Sequence, residues 1–92
     1  MIRKKIKEGY ILRQVAGNNI VIAVGEEAVN FNGLITINGA GAFLWSQLEQ
    51  GVTKDALLEA MISEYDIDRE TAAHDIDEFL KKLTDADLIE HE

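Results

Sequence analysis

The chain divides into two parts by the spacing of its hydrophobic residues. Before Asn38, short runs rich in Ile, Val and Leu are separated by Gly and Asn, a pattern typical of β-strands joined by turns. After Asn38, apolar residues recur every three or four positions between capping residues, and no proline interrupts them. The pattern therefore predicts strands first and helices afterwards.

The first two predicted strands form a hairpin. Residues 10–15 and 20–24 are rich in β-formers, and residues 16–19 between them read Ala-Gly-Asn-Asn. Gly and Asn accept positive φ, which a tight turn requires. The two strands are therefore expected to pair through a turn at residues 16–19.

The third predicted strand is short. Gly- and Asn-containing segments bracket a loop at residues 25–33, and the strand follows at residues 34–37. Its shortness indicates an edge of the sheet. Alternation places Leu34 and Thr36 on one face and Ile35 and Ile37 on the other, so that one pair can face the core.

Three helices are predicted after the strands. Asn38 caps the first, which stops at Gly51; Thr53 caps the second; and Asp68 opens the third. The second helix carries Asp55, Glu59 and Glu64 on its polar side, and the third has the clearest apolar stripe. The apolar positions of the three helices are, in order, Ala42, Phe43, Leu44, Trp45 and Leu48; Ala56, Leu57, Ala60, Met61 and Tyr65; and Ala72, Ile76, Phe79, Leu80 and Leu83.

These elements predict an α+β fold of winged helix-turn-helix type, with a three-stranded antiparallel sheet followed by three helices. Strands are expected over about residues 9–37 and helices over about residues 39–86. The chain has 92 residues, of which 47% are hydrophobic and 28% charged, a composition typical of a folded domain. We expect one domain over residues 1–92.

The charge balance argues against a DNA-binding role for this fold. Nine basic residues against 17 acidic ones give a formal net charge of -8, which repels phosphate backbones. In a DNA-reading winged helix, the third helix would carry Arg and Lys. Here its exposed positions are mainly acidic, relieved only by Lys81 and Lys82; the acidic ones are Asp75, Asp77, Glu78, Asp85 and Asp87.

The residue inventory leaves little room for catalysis or for a structural metal. The chain has no cysteine, which excludes disulfides and thiolate chemistry. We expect His74 to face water and His91 to lie in a fraying terminus, and we assign neither a metal or catalytic role. Asp66 and Asp68 fit a turn and a helix cap better than a metal site. We therefore expect no catalytic residue, no metal and no cofactor.

Two further features have structural explanations. Residues 39–41 read Gly-Ala-Gly but lack the spacing and the lysine of a phosphate loop, so the small residues are expected to let the first helix approach the strands closely. Phe43 and Trp45 are expected to pack in the core or between elements. No apolar run is long enough to span a membrane or serve as a signal peptide, which makes the cytoplasm the expected location.

The order and spacing of several segments closely resemble the PqqD family. The resemblance runs from about Gly9 to Glu90 without a large insertion or deletion. It is carried by residues 31–38 (Phe-Asn-Gly-Leu-Ile-Thr-Ile-Asn), by Phe43-Leu44-Trp45 with Leu48, by residues 53–57 and 64–68, and by residues 75–80 with Leu83, Leu88 and Ile89.

The resemblance implies a peptide chaperone, also called a RiPP recognition element. Such a protein holds the leader of a ribosomally made precursor peptide and presents it to a modifying enzyme, commonly a radical SAM protein. The leader is expected to add as a strand beside the third strand and to lie against the third helix. On this chain, the implied peptide-binding residues are Leu34, Ile35, Thr36, Ile37, Asp75, Glu78, Phe79 and Lys82. The chain looks freestanding, so the enzyme is expected to be a separate polypeptide.

Strand addition is physically reasonable, because an edge strand offers unpaired N–H and C=O groups while side-chain pockets supply selectivity. The acidic balance further predicts a leader with basic residues near its apolar anchors, bound more weakly at high salt. The same edge allows either a monomer or a strand-swapped dimer. Two alternatives remain open: a winged-helix transcriptional regulator, and a structural subunit of an enzyme complex.

Overall fold

The computed structural model describes residues 3–24 and 35–91 of the chain, and these residues form the α+β fold that the sequence predicts. The predicted loop at residues 25–33, together with Leu34 and the side chain of His91, lies outside the described residues. The elements follow in the order β1 (Arg3–Ile6), β2 (Tyr10–Val15), β3 (Asn18–Ala23), β4 (Ile35–Ile37), α1 (Gly39–Glu49), β5 (Val52–Thr53), α2 (Lys54–Tyr65), α3 (Arg69–Asp85) and β6 (Ile89–His91).

The predicted three-stranded antiparallel sheet has the order β2-β3-β4, so that β4 lies at an edge, as its shortness indicated. The hairpin is also confirmed, but β3 begins at Asn18 and not at Ile20. Only Ala16 and Gly17 form the turn, with φ values of 52° and 83°. Two consecutive residues with positive φ match the twist of the strands, so a four-residue turn is unnecessary.

A second antiparallel sheet, with the order β5-β1-β6, was not predicted. Arg3 pairs with Thr53 in this sheet, and Ile6 pairs with Ile89. β1 carries mostly charged residues, and β5 has only two residues, so neither shows the alternation by which a strand is recognised. Contacts between distant segments stabilise these strands, since the paired residues Ile6 and Ile89 are both buried.

The helices begin where the sequence predicts. The Asn38 side chain accepts a hydrogen bond from the Gly41 N–H at 2.8 Å, and Thr53 Oγ1 accepts one from the Ala56 N–H at 3.1 Å. Asp66 ends α2 in the left-handed conformation, with φ of 50°. Asp68 occupies the N-cap of α3, although its carboxylate makes no capping hydrogen bond. These residues therefore have structural roles at helix ends.

The core lies between the helices and one face of each sheet. All five predicted apolar positions of α3 are buried, and so are Leu57 and Met61 of α2. The predicted apolar side of α2 was wrong at two positions, since Ala56 is exposed and Tyr65 is 40% exposed. Leu58 and Ile62 pack against the core instead, which rotates the buried face of the helix.

Tyr65 has a different role from the one predicted. Its ring meets Phe43 edge-on, with centroids 5.6 Å apart and planes at 88°. The pair therefore joins the end of α2 to α1 near the surface. Trp45, by contrast, is fully buried in the core. None of the described helices has the length and apolar character needed to cross a membrane.

Candidate functional site

The edge strand β4 forms one side of the candidate site. It pairs with β3 through Ile35–Val21, Thr36–Ile20 and Ile37–Asn19, and its other side meets no strand within the described residues. Ile37 is buried, Ile35 packs partly against the core, and Thr36 is exposed. The predicted alternation therefore holds for the described part of the strand.

Gly41 brings the start of α1 close to this edge. A Cβ atom at Gly41 would lie 3.1 Å from Phe79 Cε1 and 3.2 Å from Ile37 Cβ. The backbone of α1 is thus packed between β4 and α3 at a point where a side chain would crowd both neighbours. Gly39, two residues earlier, has open space beside it. The predicted close approach is confirmed at Gly41 only.

α3 supplies the opposite side of the site. Asp75, Glu78, Phe79 and Lys82 follow each other at helical spacings of three and four residues, so they occupy one face over roughly 10 Å of the helix. Phe79 is buried, with 9% of its surface exposed, and the three charged residues around it are exposed. The face therefore has an apolar centre and a charged margin.

A pocket of about 260 Å³ lies between β4, α1 and α3. Its volume is that of a site for one or two side chains and is smaller than a typical small-molecule site. Apolar residues from three helices and a strand lie together on its wall, with polar groups beside them. The pocket, which we call the edge pocket, is lined by Ile37, Asn38, Ala40, Gly41, Leu44, Met61, Asp75, Glu78, Phe79 and Lys82.

The charged groups of the edge pocket are unequally paired. The Lys82 ammonium donates a hydrogen bond to the Thr36 carbonyl at 3.0 Å. Glu78 Oε1 lies 3.1 Å from Nε2 of His74, which carries a charge only when protonated. The Asp75 carboxylate makes no hydrogen bond or ion pair with any described residue. The rim therefore carries more uncompensated negative than positive charge.

The structure brings together most of the peptide-binding residues that the resemblance to the PqqD family implied. Ile37, Asp75, Glu78, Phe79 and Lys82 all line the edge pocket. Thr36 joins them through Lys82, whereas Ile35 lies along β4 and packs towards the core. Leu34 lies outside the described residues. Whether these residues bind a peptide stays a prediction at this point.

Several pocket residues were missed by sequence reasoning as site residues. Asn38 and Gly41 were identified only for capping and close packing, and Leu44 and Met61 only as apolar helix positions. The spacing of Leu44 and Met61 marks them as buried but does not indicate which neighbours they meet. The Asn-x-x-Gly sequence at residues 38–41 was the one available signal, because it joins a cap to a close approach.

The titratable groups away from the edge pocket include His74, Asp66 and Asp68. His74 is exposed, as predicted, with 71% of its side-chain surface accessible. The Thr71 hydroxyl beside Asp68 is the main cause that lowers the pKa of that carboxyl below its usual value. No group of three or more potential metal ligands occurs within residues 3–24 and 35–91. Asp66 lies at the end of α2, and Asp68 lies at the N-cap of α3.

Solved structures of other proteins share this fold. A comparison with curated protein sequences found no significant match. A solved structure of similar fold is described as TbiB1 in complex with the TbiA(beta) leader peptide. It has a TM-score of 0.74 and 23% sequence identity, with 94% of each chain covered. Another is a lasso peptide synthetase B1 complexed with the leader peptide. It has a TM-score of 0.73 and 16% identity, and covers 95% of this chain and 96% of that one.

The sequence comparison is more specific than the similarity of fold. The family model for coenzyme PQQ synthesis protein D (PqqD) matches residues 10–89. The matched segment runs from the first residue of β2 to the first residue of β6, so it includes both sides of the edge pocket. This chain therefore belongs to the PqqD family.

Proposed function

We propose that this protein is a non-catalytic peptide chaperone that binds the leader of a ribosomally synthesised precursor peptide and presents it to a separate modifying enzyme in the cytoplasm. The observation that carries the proposal is the position of the edge pocket directly beside the side of β4 that meets no strand within the described residues. An extended peptide can pair with β4 while one of its side chains enters the pocket. The membership in the PqqD family and the leader complexes of the similar structures support this reading.

The backbone of Thr36 is suited to strand addition. In an antiparallel strand, the N–H and C=O of one residue point to the same side. The Thr36 carbonyl accepts a hydrogen bond from Lys82 of α3, so we infer that both polar groups of Thr36 point away from β3. A peptide between β4 and α3 would satisfy them and would cover Phe79 on the facing helix.

The partner enzyme is proposed on the family resemblance, which favours a radical SAM protein. The chemistry that such an enzyme installs lies with the enzyme and not with this chain. The regulator alternative is disfavoured by the exposed acidic residues of α3, since a DNA-reading helix needs a basic face. The structural-subunit alternative predicts binding to an enzyme in the absence of any peptide, and this difference makes it testable.

A titration followed by NMR tests the proposal. Isotope-labelled protein is titrated with a candidate leader peptide encoded near its own gene, and a scrambled peptide serves as the control. Saturable amide shifts at Ile35, Thr36 and Ile37 and along the pocket face of α3 are expected. If a panel of such leaders causes no shifts, the peptide-chaperone proposal is wrong and the structural-subunit alternative is favoured.

Two variants of Thr36 test the strand-addition step. Thr36→Pro removes the N–H that the peptide would use, and proline is tolerated on an edge strand when its nitrogen faces outward. Thr36→Val keeps the N–H and a side chain of similar shape. Leader binding is expected to be lost in the proline variant and retained in the valine variant. Equal affinities would show that the peptide does not pair with β4.

A further inference from the structure

We propose that the edge pocket selects a long basic side chain, Arg or Lys, from the bound peptide. This inference rests on the proposed function. The aliphatic stem of that side chain would lie on Phe79 and Leu44, and its cationic head would meet Asp75 and Glu78. The arrangement of apolar wall and acidic rim within one small pocket leads to this assignment.

The geometry of α3 brings the two carboxylates to one place. Asp75 and Glu78 are three residues apart, which puts their Cβ atoms about 5–6 Å from each other on the same helix face. Both side chains are exposed, so a cationic head placed between them would keep contact with water. Long basic side chains commonly bury their methylene stems and leave their charge at such a rim.

The cations of the chain leave this position open. Lys82, the basic residue that lines the pocket, directs its ammonium to the Thr36 carbonyl. Lys81 lies 3.9 Å from Asp85, and Lys54 forms an ion pair with Asp77. His74 is the neighbour of Glu78, at 3.1 Å between Nε2 and Oε1, and it forms no ion pair with Asp75. Asp75 therefore has no cationic partner among the described residues.

The unpaired Asp75 carboxylate affects binding when a peptide covers the pocket. A strand added to β4 would remove water from the pocket rim, and an unpaired carboxylate that loses water raises the free energy of the complex. A basic peptide side chain offsets that cost, an aliphatic one leaves it in place, and an acidic one adds repulsion. The pocket should therefore discriminate between peptides by the charge at one position.

The probe is a display library of random 12-residue peptides, selected on the full chain at low salt. The expected result is enrichment of Arg or Lys at one position flanked by apolar residues. The best peptide and its counterpart with that residue changed to Met are then tested on the wild-type protein and on the Asp75→Asn/Glu78→Gln double variant. The loss on changing to Met should be about fivefold or more in the wild type and less than twofold in the double variant.

A second double variant, Asp77→Asn/Asp85→Asn, is the matched control. It removes the same number of negative charges from α3, at positions that do not line the edge pocket. It should keep the full preference for the basic peptide, because the preference arises from the local pair and not from net charge. If both double variants reduce the preference equally, the pocket assignment is wrong.

The remaining outcomes separate this inference from the proposed function. Selected peptides that shift the amides of Ile35 to Ile37 but have no basic position would overturn the inference and leave the peptide-chaperone proposal intact. Failure to select any peptide above background would count against the peptide-chaperone proposal itself, and the inference would fall with it.

Discussion

The hydrogen bond between Lys82 and Thr36 predicts that the chain protects the edge at which we propose that the leader binds. Lysine side chains at a sheet edge commonly prevent unwanted strand pairing. In the free protein, the Lys82 ammonium occupies the acceptor that an incoming peptide N–H would use. Replacement of Lys82 by Met removes the ammonium and keeps an unbranched stem beside Phe79. We expect the variant to bind leader peptide more tightly than the wild type.

The magnitude follows from the exposure of this hydrogen bond. A net intramolecular hydrogen bond contributes about 0.5–1.5 kcal/mol, and the lower part of that range applies here because Lys82 is exposed. Relief of about 0.5–1 kcal/mol corresponds to binding that is tighter by roughly two- to fivefold. The bare edge should also promote self-association, since the Thr36 carbonyl becomes available to a second copy of the chain.

The assay is fluorescence anisotropy with a labelled leader peptide, together with sedimentation velocity of the free protein. Lys81→Met is the matched control, because Lys81 is the adjacent residue of α3, does not line the pocket and carries the same charge. Tighter binding only in the Lys82 variant would support the edge-protection reading. Weaker binding in that variant would show that Lys82 contacts the peptide. Equal changes in the affinity of both variants would show that the effect arises from net charge.

Four further predictions concern stability and binding. Gly41→Ala places a methyl group against Phe79 and should lower the free energy of unfolding by about 1 kcal/mol in urea titration, while also weakening leader binding. Leu83→Ala removes a fully buried side chain and should cost about 2–5 kcal/mol in the same assay. Thr71→Val should raise the pKa of Asp68 towards its usual value in a carbon-detected NMR titration. Because a lowered folded-state pKa stabilises the fold above the unfolded-state pKa, this variant should be less stable than the wild type there, and the difference should disappear as the pH falls through the folded-state pKa of Asp68. Leader affinity should fall as salt is raised, and an affinity that does not change would contradict a role for the acidic rim.

Most of the candidate site could be predicted because strand and helix patterns are local. The shortness of the third strand indicated an edge, and the stripe from Ala72 to Leu83 established which face of α3 is buried. Once that face is known, the flank that carries Asp75, Glu78 and Lys82 follows from helical geometry. The resemblance to a family then associated this flank with the edge strand, and the structure brings the two together around one pocket.

The parts that could not be predicted depend on contacts between distant segments. Arg3–Ile6 becomes a strand only because Val52–Thr53 and Ile89–His91 pair with it, and no window of sequence contains all three segments. The direction of the Lys82 side chain could not be predicted from the sequence either. It is set by the nearby Thr36 carbonyl, and not by the carboxylates of its own helix.

Local sequence patterns were enough to predict the α+β class, the capped helix starts, the core stripe of α3 and the acidic character of the exposed faces. These properties follow from backbone preferences and from the periods of helix and strand, which act over a few residues. The three-dimensional packing was needed to show that Leu44 and Met61 line one pocket with Phe79, and that Gly41 packs closely against Phe79 and Ile37. Packing decides such matters, because the positions of side chains from separate elements are set by how those elements fit together in space.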